Sequence, residues 1–136
     1  MKICVTASGN MLDAPVDPRV GRASYFLIVD SETMAFEAVS NTATGAMSGA
    51  GIQAAQTIAS KGVNVLITGN VGPNAFQALA SAGIKIVVGA SGTVREVIEK
   101  YKRGELKGTS TPTVGGHFGR GSGRGMGMGR GRRRRI

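Results

Sequence analysis

The chain has 136 residues and a formal net charge of +9 at pH 7, with one cysteine, one histidine and no tryptophan. A single cysteine excludes an internal disulfide and any four-cysteine zinc or iron–sulfur site within one chain. The charge is unevenly placed: Thr111–Ile136 hold seven arginines, nine glycines and no carboxylate, whereas residues 1–110 set ten Lys/Arg against eight Asp/Glu.

Along the chain, Ile3–Ala7 is a short apolar run closed by Ser8-Gly9-Asn10, which suits a buried central strand. A loop with Pro15, Pro18 and Gly21 follows. Tyr25–Val29 is a second strand, stopped by the turn pair Asp30-Ser31, and the alternation over Met34–Val39 predicts a third, hairpin-connected strand with one wetter face.

The period then changes. Ile52, Ala55, Ile58 and Ala59 fall on one helical face, with Gly62 at the terminating position. Val63–Thr68 is a strand and Gly69–Gly72 the turn out of it, with Pro73 placed at a helix's first turn. Ala75, Phe76, Leu79 and Ala80 give that helix its stripe, Gly83 ends it, and Ile84–Val88 is the fifth strand. Thr93 and Glu96 form a capping box ahead of a helix with Val94, Val97, Ile98 and Tyr101 at i, i+3, i+4, i+7. Glu96–Lys100 and Glu99–Arg103 are spaced for i,i+4 pairs, and Gly104 follows as terminator. The order β-β-β-α-β-α-β-α predicts an α/β domain over residues 1–108: a five-stranded mixed sheet ordered 3-2-1-4-5, only strand 2 antiparallel, with helices on both faces.

In such a sheet ligands sit beyond the carboxyl ends of the parallel strands. The connections Ser8–Gly21, Asn41–Gly51, Gly69–Gly72 and Gly89–Thr93 all converge on that edge. Three lead into helix N-termini, whose N–H groups and dipoles favour an anion. No Asp or Glu occurs between Glu37 and Glu96, while Arg19 and Arg22 end the first loop. The candidate anion site is therefore Ser8, Gly9, Asn10, Asn70, Val71, Gly72, Ser91, Gly92 and Thr93, with Arg19 and Arg22 as counter-charges. A carboxylate-poor rim lacks what magnesium-dependent phosphoryl chemistry requires.

Other chemistries fail on context. Gly49-Ala50-Gly51-Ile52-Gln53-Ala54 matches the dinucleotide fingerprint but follows a loop, and no acid stands about 20 residues on to hold a ribose. Its small residues are expected to let the helix pack closely on the sheet. No Walker motif is present, and the only histidine, His117, lies in the basic tail, so no triad forms within the domain and an enzyme is not expected. Cys4 reads as a small buried hydrophobe. His117, with Met126 and Met128, is the only candidate metal-binding group in the tail. Residues 109–136 are expected to be a disordered basic arm, because so Gly-rich a segment buries too little apolar surface to offset its ordering entropy. Arg120, Arg124, Arg130, Arg132, Arg133, Arg134 and Arg135 would engage a nucleic acid or another polyanion. The opening apolar run is too short for a signal peptide and no segment suits a membrane span, so a cytoplasmic, soluble protein without a membrane partner is expected.

The segment Pro18–Asp30, with Gly21-Arg22-Ala23 and Tyr25-Phe26-Leu27-Ile28-Val29-Asp30, resembles the signature of the dinitrogenase iron–molybdenum cofactor biosynthesis domain family. Gly49–Gln56, Gly72–Phe76, Ala82–Lys85 and Gly104–Leu106 continue the resemblance in order, over roughly residues 1–108. It implies a ribonuclease H-like fold and a non-catalytic role in carrying an iron–sulfur or molybdenum-containing cluster between cluster-assembly and acceptor proteins. Many relatives have His-Phe-Gly-Arg in the signature, the histidine being a cluster contact by implication. Here the positions read Arg19-Val20-Gly21-Arg22, so that contact has no counterpart, and His117-Phe118-Gly119-Arg120 repeats the tetrapeptide in the tail.

Overall fold

The computed structural model describes residues 1–41, 50–106 and 108–109. Strands β1 (Lys2–Ala7), β2 (Tyr25–Asp30) and β3 (Phe36–Ser40) are followed by α1 (Ala50–Ser60), β4 (Val65–Ile67), α2 (Pro73–Ser81), β5 (Lys85–Val87) and α3 (Val94–Lys102). The sheet runs β3-β2-β1-β4-β5. Strand β2 is antiparallel to both neighbours, and β1, β4 and β5 are mutually parallel, as the sequence order predicts.

Register explains the two layers. Cys4 lies opposite Ile28 and Leu66, and Leu66 opposite Ile86, so these four share one face. Helices α1 and α2 cover that face with Ala54, Ala55, Ile58, Ala75 and Leu79. Ile3, Val5, Leu27, Val29, Val65, Ile67 and Val87 line the other face, where α3 seats Val94, Val97 and Ile98. The central strand is thus buried on both sides, and burial pushes the Cys4 thiol up, out of reach of ordinary titration. Cys4 should accordingly stay inert to a thiol reagent in the folded protein and react only with unfolding, which a colorimetric thiol titration with and without denaturant reads directly.

Several local expectations shift: β4 and β5 are shorter than the apolar runs that predict them, and Ala80 of α2 is exposed while Ala78 packs on the core. Strand β3 starts at Phe36 rather than Met34, because Met34 sits in the turn with φ 64°. Its N–H donates to Asp30 O (2.8 Å), and the Asp30 carboxylate accepts from the N–H groups of Glu32 and Thr33, which holds it below the usual carboxylate range. Helix α1 packs through Gly51, Ala54, Ala55 and Ile58, and Ile52 is exposed. The stripe begins on the glycine because an added Cβ at Gly51 would come 3.3 Å from the Ala75 Cβ; the close approach is to α2, not to the sheet. In α3 the capping box forms, so the Glu96 carboxylate turns back to Thr93 N–H (2.9 Å) instead of forward to Lys100, and Arg103 closes on Glu105 (2.7 Å).

Candidate functional site

The carboxyl ends of β1, β4 and β5 meet at one edge, and the first loop crosses it as a strap. Ala7 bridges Val16, Pro15 bridges Thr93, and Arg19 bridges Asn70. The strap is tied to the two central strands by Asp17 N–H to Thr6 O (2.9 Å), Thr6 Oγ1 to Asp17 O (2.6 Å) and Asn70 N–H to Pro18 O (2.8 Å). Beneath it, the fully buried hydroxyls of Thr6 and Thr68 share a hydrogen bond of 2.8 Å.

This strap divides the expected rim. On the α3 side the amides from Thr93 to Arg95, at the start of the helix, are engaged within the protein. Thr93 N–H is held by Glu96, Val94 N–H donates to Ala14 O (3.0 Å) and Arg95 N–H to Leu12 O (2.9 Å). Gly92 O accepts from Val16 N–H (2.8 Å), and Gly92 adopts φ 105°, where a side chain is strained; an added Cβ would also lie 2.6 Å from Glu96 Oε1, displacing the carboxylate that caps Thr93. Ser91 is exposed beside this closed turn. Ser8 N–H and Oγ both reach Pro15 O (3.0 and 3.2 Å), so Ser8, Gly9 and Asn10 belong to the strap's own hairpin. Thr93 and Ser8 are therefore brought to the edge but do not offer their amides there. The physical reason is that a helix start under a loop finds its acceptors in that loop's carbonyls.

On the α2 side the arrangement differs. Helix α2 starts from Gly72, no side chain caps it, and Pro73 occupies its first turn, so its positive end is left without a side-chain acceptor. Arg19 is placed there by its backbone bridge to Asn70, its side chain 65% exposed. The segment that follows alternates anchors and charges. Val20 and Ala23 are buried with Val71, Ala54 and Ala75, while Arg22 is exposed. Asn41 Nδ2 fastens the segment by donating to Ala23 O (2.8 Å) and Gly21 O (3.3 Å). Asn70, Gly72, Arg19 and Arg22 thus border one end of the α1–α2 face, whereas Val71 is a core residue at 1% exposure.

Sequence reasoning overlooked several parts of this region. Asp17 puts a carboxylate on the rim: its Oδ1 accepts from Arg19 N–H (2.9 Å) and lies 3.7 Å from Arg19 Nε. Asp13 likewise pairs with Arg95 (3.2 Å). The stretch from Glu37 to Glu96 is free of acids, but the strap is not. The D-P-R order of Asp17-Pro18-Arg19 was the available signal, since a carboxylate two residues ahead of a turn amide accepts from it. Residues 42–49, which lead into α1, and His117, Met126, Met128 and the tail arginines Arg120, Arg124, Arg130, Arg132, Arg133, Arg134 and Arg135 lie outside the described residues. Among the described residues no group of three or more His, Cys, Asp or Glu could hold a metal ion. No helix among them is long and apolar enough to cross a membrane.

Sheet order, strand directions and the position of the rim define a ribonuclease H-like α/β domain with a glycine- and arginine-bordered edge where nucleases of this fold need clustered carboxylates. A family model described as dinitrogenase iron-molybdenum cofactor matches residues 1–104. The chain belongs to the dinitrogenase iron-molybdenum cofactor family. Among solved structures, the apo form of the orange protein from Desulfovibrio gigas is 47% identical, with a TM-score of 0.80 over 82% of this chain and 95% of that one. A candidate NifB protein from Thermotoga is 39% identical, with a TM-score of 0.72 over 82% and 96%. An uncharacterized protein of Methanocaldococcus jannaschii is 33% identical over 110 residues, 79% of this chain and 90% of that one.

Proposed function

We propose that this chain is a non-catalytic carrier for an anionic metal–sulfur cluster or its precursor, an accessory that passes its cargo between cluster-assembly and acceptor proteins. The observation that carries the reading is the pairing of Arg19 with the uncapped start of α2 at one end of the sheet. Membership of the dinitrogenase iron-molybdenum cofactor family supports a metal–sulfur cluster as the class of anion. The described residues offer backbone amides, dipole and guanidinium charge, so they would hold such a cargo by hydrogen bonds and charge.

Anaerobic reconstitution with iron, sulfide, and molybdate or copper, followed by desalting and metal analysis, tests this. The chain should retain metal and sulfide together, and Arg19→Gln should weaken retention about tenfold to a hundredfold, the worth of one charge-assisted hydrogen bond. Retention no greater than that of a charge-matched unrelated protein would end the carrier reading.

A second reading rests on the charge segregation, with seven arginines and no carboxylate in Thr111–Ile136. It makes the tail an adaptor for nucleic acid or another polyanion. Neutralising tail arginines should abolish polyanion binding and leave cargo retention intact.

A further inference from the structure

The two edges of the sheet differ in what meets them. The outer side of β5 is met by the chain itself, Val87 bridging Gly108 and Thr109 N–H donating to Ile86 O (2.8 Å). The outer side of β3 pairs with no other described segment. The hairpin fixes which of its groups face outward. Asp30 N–H donates to Ala35 O (2.8 Å) and Asn41 N–H to Ser24 O (3.0 Å), so Glu37 and Val39, in step with them, turn their backbone groups toward β2. Backbone direction alternates along a strand, so the N–H and C=O groups of Phe36, Ala38 and Ser40 point away from the sheet.

This edge lacks the devices that usually keep edge strands apart. Phe36–Ser40 holds no lysine and no proline, and its pairing with Tyr25–Val29 runs without a bulge. Phe36 is 43% exposed, and Ala38 is exposed beside it on the α3 side of the sheet, opposite Val29 and Leu27 respectively. Glu37 and Val39 lie on the other face, where Glu37 is taken by Lys61 (2.9 Å). The outward groups are centred on Ala38. A second β3 laid antiparallel, Ala38 against Ala38, sets Phe36 opposite Ser40 and Glu37 opposite Val39. No like charges then face each other directly.

We propose that the outer edge of β3 is the docking surface for a second copy of this chain, which joins it in a two-fold dimer through one continuous sheet. Ala38 exchanges both backbone bonds with its own copy, and Phe36 exchanges both with Ser40 of the second copy. The self-complementary register is what selects a second copy over an unrelated strand: the same uncharged residues satisfy each other on either side of the axis. Strand β3 runs parallel to β1, so β1 of the second copy runs the opposite way. The two carboxyl edges, each with its Arg19, then stand at opposite ends of the joined sheet, and the inference is independent of the carrier reading.

Sedimentation velocity of the full-length chain over a concentration series tests this. A monomer–dimer equilibrium is expected. Ala38→Pro deletes an N–H that β2 does not use, and should weaken the dimer about tenfold to a hundredfold. Ala38→Lys sets two ammonium groups opposite each other and should abolish it, with an unchanged urea midpoint because the position is exposed. Mild oxidation reads the register. In Ala38→Cys the paired Cα atoms would stand about 5.5 Å apart, within disulfide reach, so the dimer should crosslink. In Ser40→Cys the two positions would be offset by about 14 Å along the strands, so it should not. Cys4 is fully buried and adds no background. A chain that stays monomeric at every concentration overturns the proposal. So does a dimer that neither Ala38→Pro nor Ala38→Lys weakens, or one that Ser40→Cys crosslinks as readily as Ala38→Cys.

Discussion

Replacing Gly69 with alanine is expected to lower folding stability by about 1–3 kcal/mol, the usual cost of forcing extra atoms into a packed contact, and to loosen Arg19 from the rim. An added Cβ there would fall 2.7 Å from Pro18 Cα and 2.8 Å from Pro18 Cβ. Neither atom is the far end of a flexible side chain. The strap must move, and with it the bond from Asn70 N–H to Pro18 O and the Arg19–Asn70 bridge. A urea titration reads the stability loss. Hydrogen exchange at the Asn70 amide reads the strap, and should speed up more than global destabilisation alone explains. Wild-type stability with an unchanged Asn70 amide would show that the strap slides without cost and does not position Arg19. The glycine is thus a spacer for a backbone crossing, a different use from the left-handed glycines that end the helices.

How much of this was legible in the sequence follows from the range of each signal. The capping box at Thr93–Glu96, Pro73 at the start of α2 and the terminators Gly62, Gly83 and Gly104 are local devices, read within four or five residues, and all are present. Strand order was legible because three apolar runs joined by one loop and one tight turn, then two joined through helices, leave few topologies. Helix α1 was misread at Ile52 because side-chain size was weighed above spacing; Gly51, Ala54, Ala55 and Ile58 keep the period with smaller residues. The strap was not legible. Its ties join Leu12 and Ala14 to Arg95 and Val94 through backbone carbonyls, which any residue supplies, across more of the chain than periodicity covers. The α2 side of the rim, with Arg19 beside Gly72, lacks a side-chain cap, whereas the strap's carbonyls take the first amides of α3; that difference is set by the strap and not by residue type.

The second large effect is expected at the hydroxyl pair under the strap. Thr6 and Thr68 are both fully buried, Thr6 on β1 and Thr68 directly after the parallel neighbour β4. The Asp17 carbonyl can only accept, so the 2.6 Å contact places the Thr6 proton on it, and the hydroxyls' mutual bond of 2.8 Å is then supplied by Thr68. Thr6→Val removes one oxygen and orphans two groups, the Asp17 carbonyl and the Thr68 hydroxyl. Thr68→Val removes only a donor to an oxygen that keeps its own partner. Thr6→Val should therefore cost about 2–3 kcal/mol and Thr68→Val about 1 kcal/mol, each buried group left unpaired adding about 1–3 kcal/mol. In the double variant the second change removes a hydroxyl that the first had already orphaned, so its loss should fall short of the sum, with a coupling of about 1 kcal/mol. Denaturant unfolding of the two single variants and the double variant measures this cycle. Thr6→Ser restores the oxygen and should recover most of the loss and the protection of the Asp17 amide. Strictly additive losses, or Thr68→Val the costlier change, would mean that the Thr6 proton does not lie on the Asp17 carbonyl and that this hydroxyl does not hold the strap.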